Sequence, residues 1–158
     1  MAGVMERVCD YPRPPALEPS SQHILIRAGG ELLAETRRSY RVLETFHPPT
    51  YYLPQESFVE GRLRLAAGRS FCEWKGVACY YDLHGPQAVV RKAAWSYPQP
   101  TTPFASIAGW VALYPALVDG CWVDGELVVP QPGGFYGGWI TSAVQGPFKG
   151  DPNHPELI

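Results

Sequence analysis

The sequence predicts a compact, mainly β domain with one or two short helices. Two observations predict it. Aromatic residues make up 13% of the chain beside 17 prolines and 16 glycines, a balance that favours strands broken by turns over long helices. The 158 residues suit a single core, because a chain of that length buries about two thirds of the surface its unfolded form exposes.

Residues 1–22 carry Pro12, Pro14, Pro15 and Pro19 without a sustained apolar period, and read as an extended lead-in arm. The domain is expected to span residues 23–150, with 151–158 as a tail. His23 to Arg27 and Glu31 to Thr36 form a hairpin pattern around Gly29-Gly30, since glycine supplies the positive φ of a tight turn. A third strand runs through Ser39 to Glu44. The segment Glu44 to Pro54 is a proline-stiffened loop, and residues 55–65 fit a short helix or a loop. Ser70 to Leu83 and Ala88 to Tyr97 read as paired strands joined at His84-Gly85-Pro86-Gln87. Tyr97 to Pro103 is a rigid crossing, because proline cannot donate to a ladder. Phe104 to Ile107 suits one helical turn, Gly109 to Tyr114 a buried strand, and Cys121 to Val129 a hairpin on the Asp124-Gly125 step. From Pro130 to Gly150 the chain is glycine- and aromatic-rich and irregular.

A net charge of -2 and a pI near 6.1 leave no basic footprint for duplex nucleic acid or an anionic membrane surface, and Arg37-Arg38 is only a pair. No apolar run is long enough for a signal peptide or a membrane span, so the expected location is cytoplasmic. Cys9, Cys72, Cys79 and Cys121 include no Cys-x-x-Cys pair, which argues against a zinc ribbon or a dithiol motif. They read as small apolar residues, with Cys72 set apart by its closeness to Lys75.

Two stretches carry chemistry. Glu44, His47, Tyr51 and Tyr52 bring a carboxylate, an imidazole and two phenols into one loop, the makings of a general base with hydrogen-bond donors. They fall short of a three- or four-ligand metal set, and His23, His84 and His154 sit at turns or the terminus, so no metal is expected. In Cys72-Glu73-Trp74-Lys75-Gly76, read as a strand, Glu73 and Lys75 share one face and Cys72 and Trp74 the other. That charged face is either a solvated pair worth under about 1 kcal/mol or part of a pocket in which Lys75 holds an anion. Trp95, Tyr97, Tyr136 and Trp139 lie beside prolines and glycines, where a ligand-stacking wall is built readily. Gly133-Gly134 and Gly137-Gly138 lack the Gly-Lys-Ser/Thr of a phosphate loop and suit close packing.

The motifs Glu44-Thr45-Phe46-His47-Pro48-Pro49-Thr50-Tyr51-Tyr52, Cys72 to Gly76, Ala93-Ala94-Trp95-Ser96-Tyr97-Pro98 and Ile107 to Pro115 resemble, in order, the landmarks of the family of domain of unknown function 427, also labelled predicted nucleotidyltransferases. Residues 130–150 are similar to a long branch of it, and the arm lies outside the resemblance. The resemblance implies a barrel-like β-complex of the Mss4-like kind. Neither the zinc knuckles of some proteins with that architecture nor the paired carboxylates of a nucleotidyltransferase occur here, and no cofactor is expected. The expected function is binding of a small polar or anionic molecule in a Glu/His/Lys/Tyr pocket. In an enzyme Lys75 would hold the anion, Glu73 or Glu44 with His47 would move protons, and Tyr51, Tyr52, Trp95, Tyr97, Tyr136 and Trp139 would bind the ligand. The alternative is a non-catalytic interaction module or a homodimer.

Overall fold

Backbone pairing organises the strands into five sheets in a computed structural model that describes residues 5–157. In chain order the strands are β1 (Glu6–Arg7), β2 (Ala16–Ser20), β3 (Ile24–Ala28), β4 (Glu31–Thr36), β5 (Ser39–Leu43), β6 (Thr50–Tyr52), β7 (Leu63–Cys72), β8 (Gly76–His84), β9 (Val89–Ser96), β10 (Val111–Leu113), β11 (Gly120–Val123), β12 (Glu126–Leu127), β13 (Val129–Pro130), β14 (Trp139–Ile140) and β15 (Val144–Gln145). Helical structure among the described residues is confined to short 3₁₀ turns, including Gln55–Ser57 and Thr102–Ile107. The fold is mainly β, as the sequence predicts.

Two four-stranded antiparallel sheets, β10-β9-β8-β7 and β12-β11-β3-β4, carry most of the core, with β2-β5-β6 as a three-stranded neighbour. The sheets do not close into a barrel, which corrects the barrel-like expectation. An isolated bridge from Leu53, just after β6, to Val111 on β10 links two of them, and a second bridge ties Ala34 on β4 to Phe58 in the connection that follows β6. The largest apolar cluster centres on Ile24, Ile26, Leu33, Leu53, Leu113 and Trp139, all essentially without solvent exposure. A second, around Tyr52, Phe104, Ile107 and Ala112, lies under β5, β6, β8 and β9.

The Gly29-Gly30 turn (φ 64° and 78°) and the Asp124-Gly125 turn (φ 49° and 83°) have the left-handed backbone that two-residue hairpins require. Two local expectations change. Residues 16–20, read as part of the arm, form β2 along the full length of β5, and β1 pairs in parallel with β15. The arm is drawn in because Val8, fully buried, packs with Tyr11, Leu43 and Val144. Glu73, Trp74 and Lys75 are not strand residues. They form the turn of the β7–β8 hairpin, whose Cys72↔Gly76 closing pair places Gly76 at φ 106°. Facing in a strand therefore does not apply to Glu73 and Lys75.

Candidate functional site

Strand parity sets the walls of a cleft of about 220 Å³ between the β5–β6 ribbon and the β7–β8–β9 sheet. Thr50 and Tyr52 are two apart on β6 and face it together, as do Ala78 and Tyr80 on β8, and Trp95 with Tyr97 at the end of β9. Tyr51, between Thr50 and Tyr52, points the other way, into the main core, where its ring lies 4.7 Å from that of Trp139. The glycine-rich segment supplies Gln131, Phe135, Tyr136 and Gly137 as a further wall.

Of the residues singled out in the sequence, Glu44, His47, Lys75, Tyr52, Trp95, Tyr97 and Tyr136 line this cleft. Glu73 does not: it is exposed on the hairpin turn and forms no ion pair among the described residues. Tyr51 and Trp139 are core. Lys75 also lacks a carboxylate partner there, and its Nζ sits 5.7 Å from the Tyr97 ring centroid and 5.9 Å from that of Phe104. Its turn is docked on the proline-rich crossing, Thr101 donating its N–H to the Lys75 carbonyl and its hydroxyl to the Trp74 carbonyl.

The loop that carries Glu44 and His47 is held in an unusual shape. Phe46 has φ 66°, a left-handed backbone that costs a bulky residue free energy, and it is pinned by its N–H to the Val8 carbonyl (3.0 Å) and by its carbonyl to the Lys149 N–H (2.8 Å). The His47 ring is fixed by Gln131, which is buried between Pro130 and Pro132. Gln131 Oε1 accepts the Gly138 N–H, so its Nε2 is the donor, to the Lys149 carbonyl (2.9 Å) and to His47 Nδ1 (3.0 Å). An Nδ1 that accepts leaves the proton of the neutral ring on Nε2, and that edge lies 4.0 Å from Glu44 Oε2. Burial, above all, holds the imidazole below its ordinary value; Lys149 and Arg13 push the same way, and Glu44 opposes them. Tyr136 completes the support with an edge contact to the His47 ring at 5.1 Å.

The glycines here are packing devices, as the sequence suggests. A Cβ on Gly138 would stand 2.5 Å from Gln131 Oε1 and 2.6 Å from Pro48 Cγ, and one on Gly137 would run into the Trp95 indole. On the opposite wall the Trp95 Nε1–H donates to the Tyr52 hydroxyl (3.0 Å), and Ser70 and Tyr80 share a hydroxyl contact at 2.6 Å. Burial raises the pKa values of Tyr52, Tyr97 and Tyr114, which keeps these phenols protonated. Gln131, Tyr80, Tyr114 and Ser70 were missed from sequence. Parity along β8 flags Tyr80 once Ala78 is placed, whereas Gln131 has no local signal beyond its two prolines.

Among the described residues no three His, Cys, Asp or Glu side chains gather as a metal-binding group. No described helix is long and apolar enough to cross a membrane. All four cysteines are free thiols, Cys79 and Cys121 buried.

A family model described as a domain of unknown function (DUF427) matches residues 16–124. The match begins inside the segment read as an arm and stops before the glycine-rich wall, so Gln131 and Tyr136 lie beyond it. A comparison with curated proteins finds no match.

Proposed function

The chain belongs to the DUF427 family, and within that fold we propose that the cleft binds a small polar or anionic molecule and moves a proton on it. The observation that carries this reading is the clamp on His47: a buried amide with every polar atom engaged fixes an imidazole as an Nε2–H donor beside a carboxylate. A donor fixed in place before charge develops is the arrangement that electrostatic stabilisation of a transition state requires. In this scheme Lys75 attracts the anionic group. Glu44 accepts the proton, and the neutral His47 ring donates its Nε2–H to the oxygen on which charge accumulates.

The test is a thermal-shift screen of small metabolites on the whole chain. A specific ligand at a hundred times its dissociation constant adds about 2.7 kcal/mol of stability. The expected result is a stabilising compound whose effect is lost in Lys75→Ala and Glu44→Gln. The reading fails if no compound class stabilises the protein, or if both variants respond as the parent does.

A second reading rests on the β7 edge. Among the described residues β7 has no neighbour on its outer side, and Leu65 and Phe71 on it are 69% and 76% exposed, with Val77 on β8 at 45%. An exposed apolar edge strand pairs readily with another chain, which suits self-association. Sedimentation of the parent and of Phe71→Lys distinguishes a β7-mediated dimer from a monomer.

A further inference from the structure

The hydrogen-bonding balance of the cleft narrows what it takes. Tyr52 is 1% exposed and is one of the residues that line the cleft. Its oxygen already accepts the Trp95 Nε1–H, and its own proton has no acceptor among the described residues. A buried donor left unmade is costly, so this one calls for an acceptor in the cleft. Lys75 offers a positive charge without a carboxylate partner among the described residues and flanks the same Tyr97 ring, whose centroid is 6.4 Å from that of Tyr52. The cleft is donor-rich at this end.

Its charge is small. Among the described residues Lys75 is the only lysine or arginine in the lining, and the Glu44 carboxylate is partly offset by Arg13 at 3.9 Å. Phosphate sites gather several basic side chains or the N–H groups of a helix N-terminus, and the cleft has neither. A volume of about 220 Å³ also falls below the roughly 300–1,000 Å³ of drug-sized sites, which leaves room for about one ring. The walls are aromatic: Trp95 and Tyr114 lie 4.7 Å apart, and Tyr136 abuts His47. Such walls favour a flat body.

From these features we infer that the ligand is a small planar monocarboxylate. Its carboxylate is held by Lys75 and the Tyr52 hydroxyl, and its ring lies among Trp95, Tyr97 and Tyr136. The inference rests on the binding role proposed for this cleft and leaves His47 and Glu44 for the reacting end.

Isothermal titration of the whole chain with benzoate, benzamide, benzylamine and inorganic phosphate tests it. Benzoate is expected to bind at least tenfold tighter than benzylamine or phosphate, with benzamide between, because it keeps the acceptor and loses the charge. Lys75→Met and Tyr52→Phe are each expected to weaken benzoate about tenfold, the usual loss for one charged or buried hydrogen bond. Lys75 lies on a surface turn, so its variant reports even if Tyr52→Phe unfolds. Tighter binding of benzylamine or phosphate overturns the inference, as does benzoate binding that ignores the substitutions, or silence from all four probes. In the silent case, a metabolite that moves the Trp95 indole resonance preserves the cleft as a binding site and removes only the carboxylate class. If no metabolite moves it, both readings fall.

Discussion

His47 is the residue on which the site's chemistry and the local stability meet. Burial keeps its folded pKa below the ordinary imidazole value of about 6.5, so the unfolded chain takes up a proton first as pH falls. The corresponding stability is fully present above that value and is lost as pH drops through it towards the lower folded pKa. His47→Asn offers Gln131 an amide oxygen in place of Nδ1 and removes the titration. Chemical denaturation of both proteins between roughly pH 5 and 8 is expected to show a flatter profile for the variant, and parallel profiles contradict this assignment. Gly138 tests the same support from the backbone side. Gly138→Ala places a methyl against Gln131 Oε1 and Pro48, and an overpacked site of this kind costs about 1–3 kcal/mol, measurable by urea unfolding. What was legible at this scale was residue type. Glu44, His47 and Lys75 stood out as chemical groups, but Gln131, 84 positions from His47, could be joined to it only by the fold.

Among the elements, the β1–β2 region is an integral edge of the fold because it neutralises a buried cation. Arg41 on β5 is 8% exposed and donates to Glu6 on β1 (3.0 and 3.1 Å) and to Glu18 on β2, while Tyr11 donates to Glu6 at 2.6 Å. The Arg41 hydrogen bonds, the largest influence, hold the Glu6 carboxyl below its ordinary value. Its contribution is therefore present above the unfolded carboxylate value of about 4.3 and lost as pH falls through the folded one. Arg41→Met is expected to cost about 1.5–3 kcal/mol in denaturant unfolding, the range for hydrogen bonds to charged groups. Glu18→Gln is expected to cost less, because Glu18 is about half exposed. A neutral Arg41→Met would show that β1 and β2 are held by apolar packing alone. Proline density drew the sequence reading towards an arm here. Pro19 is tolerated because β2 is the edge strand of its sheet. The hairpins at Gly29-Gly30 and Asp124-Gly125 were legible because glycine chemistry dictates their turns. The Glu73–Lys75 turn was not, since Gly76 marks its end without a turn pair at its centre.

The whole molecule places a polar cleft over one of three apolar clusters, and its sides come from segments far apart in sequence. Mainly β architecture was legible from composition and turn spacing. The open arrangement of five sheets was not, because closure depends on strand register and pairing at edges. Likewise Tyr51 and Tyr52 are equivalent by type, and only the β6–β5 register, Tyr52 opposite Tyr40, assigns one to the cleft and the other to the core. The central claim, that this cleft is where the protein meets its ligand, can be read at one atom pair. The chain has five tryptophans, and the Trp95 indole N–H alone donates to the Tyr52 hydroxyl in the cleft wall. A ¹H–¹⁵N spectrum of the indole region, assigned with Trp95→Phe, is recorded while titrating the most stabilising compound from the thermal-shift screen. The account predicts that the Trp95 resonance moves saturably while those of Trp110 and Trp122 stay in place. Saturable movement at Trp110 or Trp122 with Trp95 unchanged would contradict it.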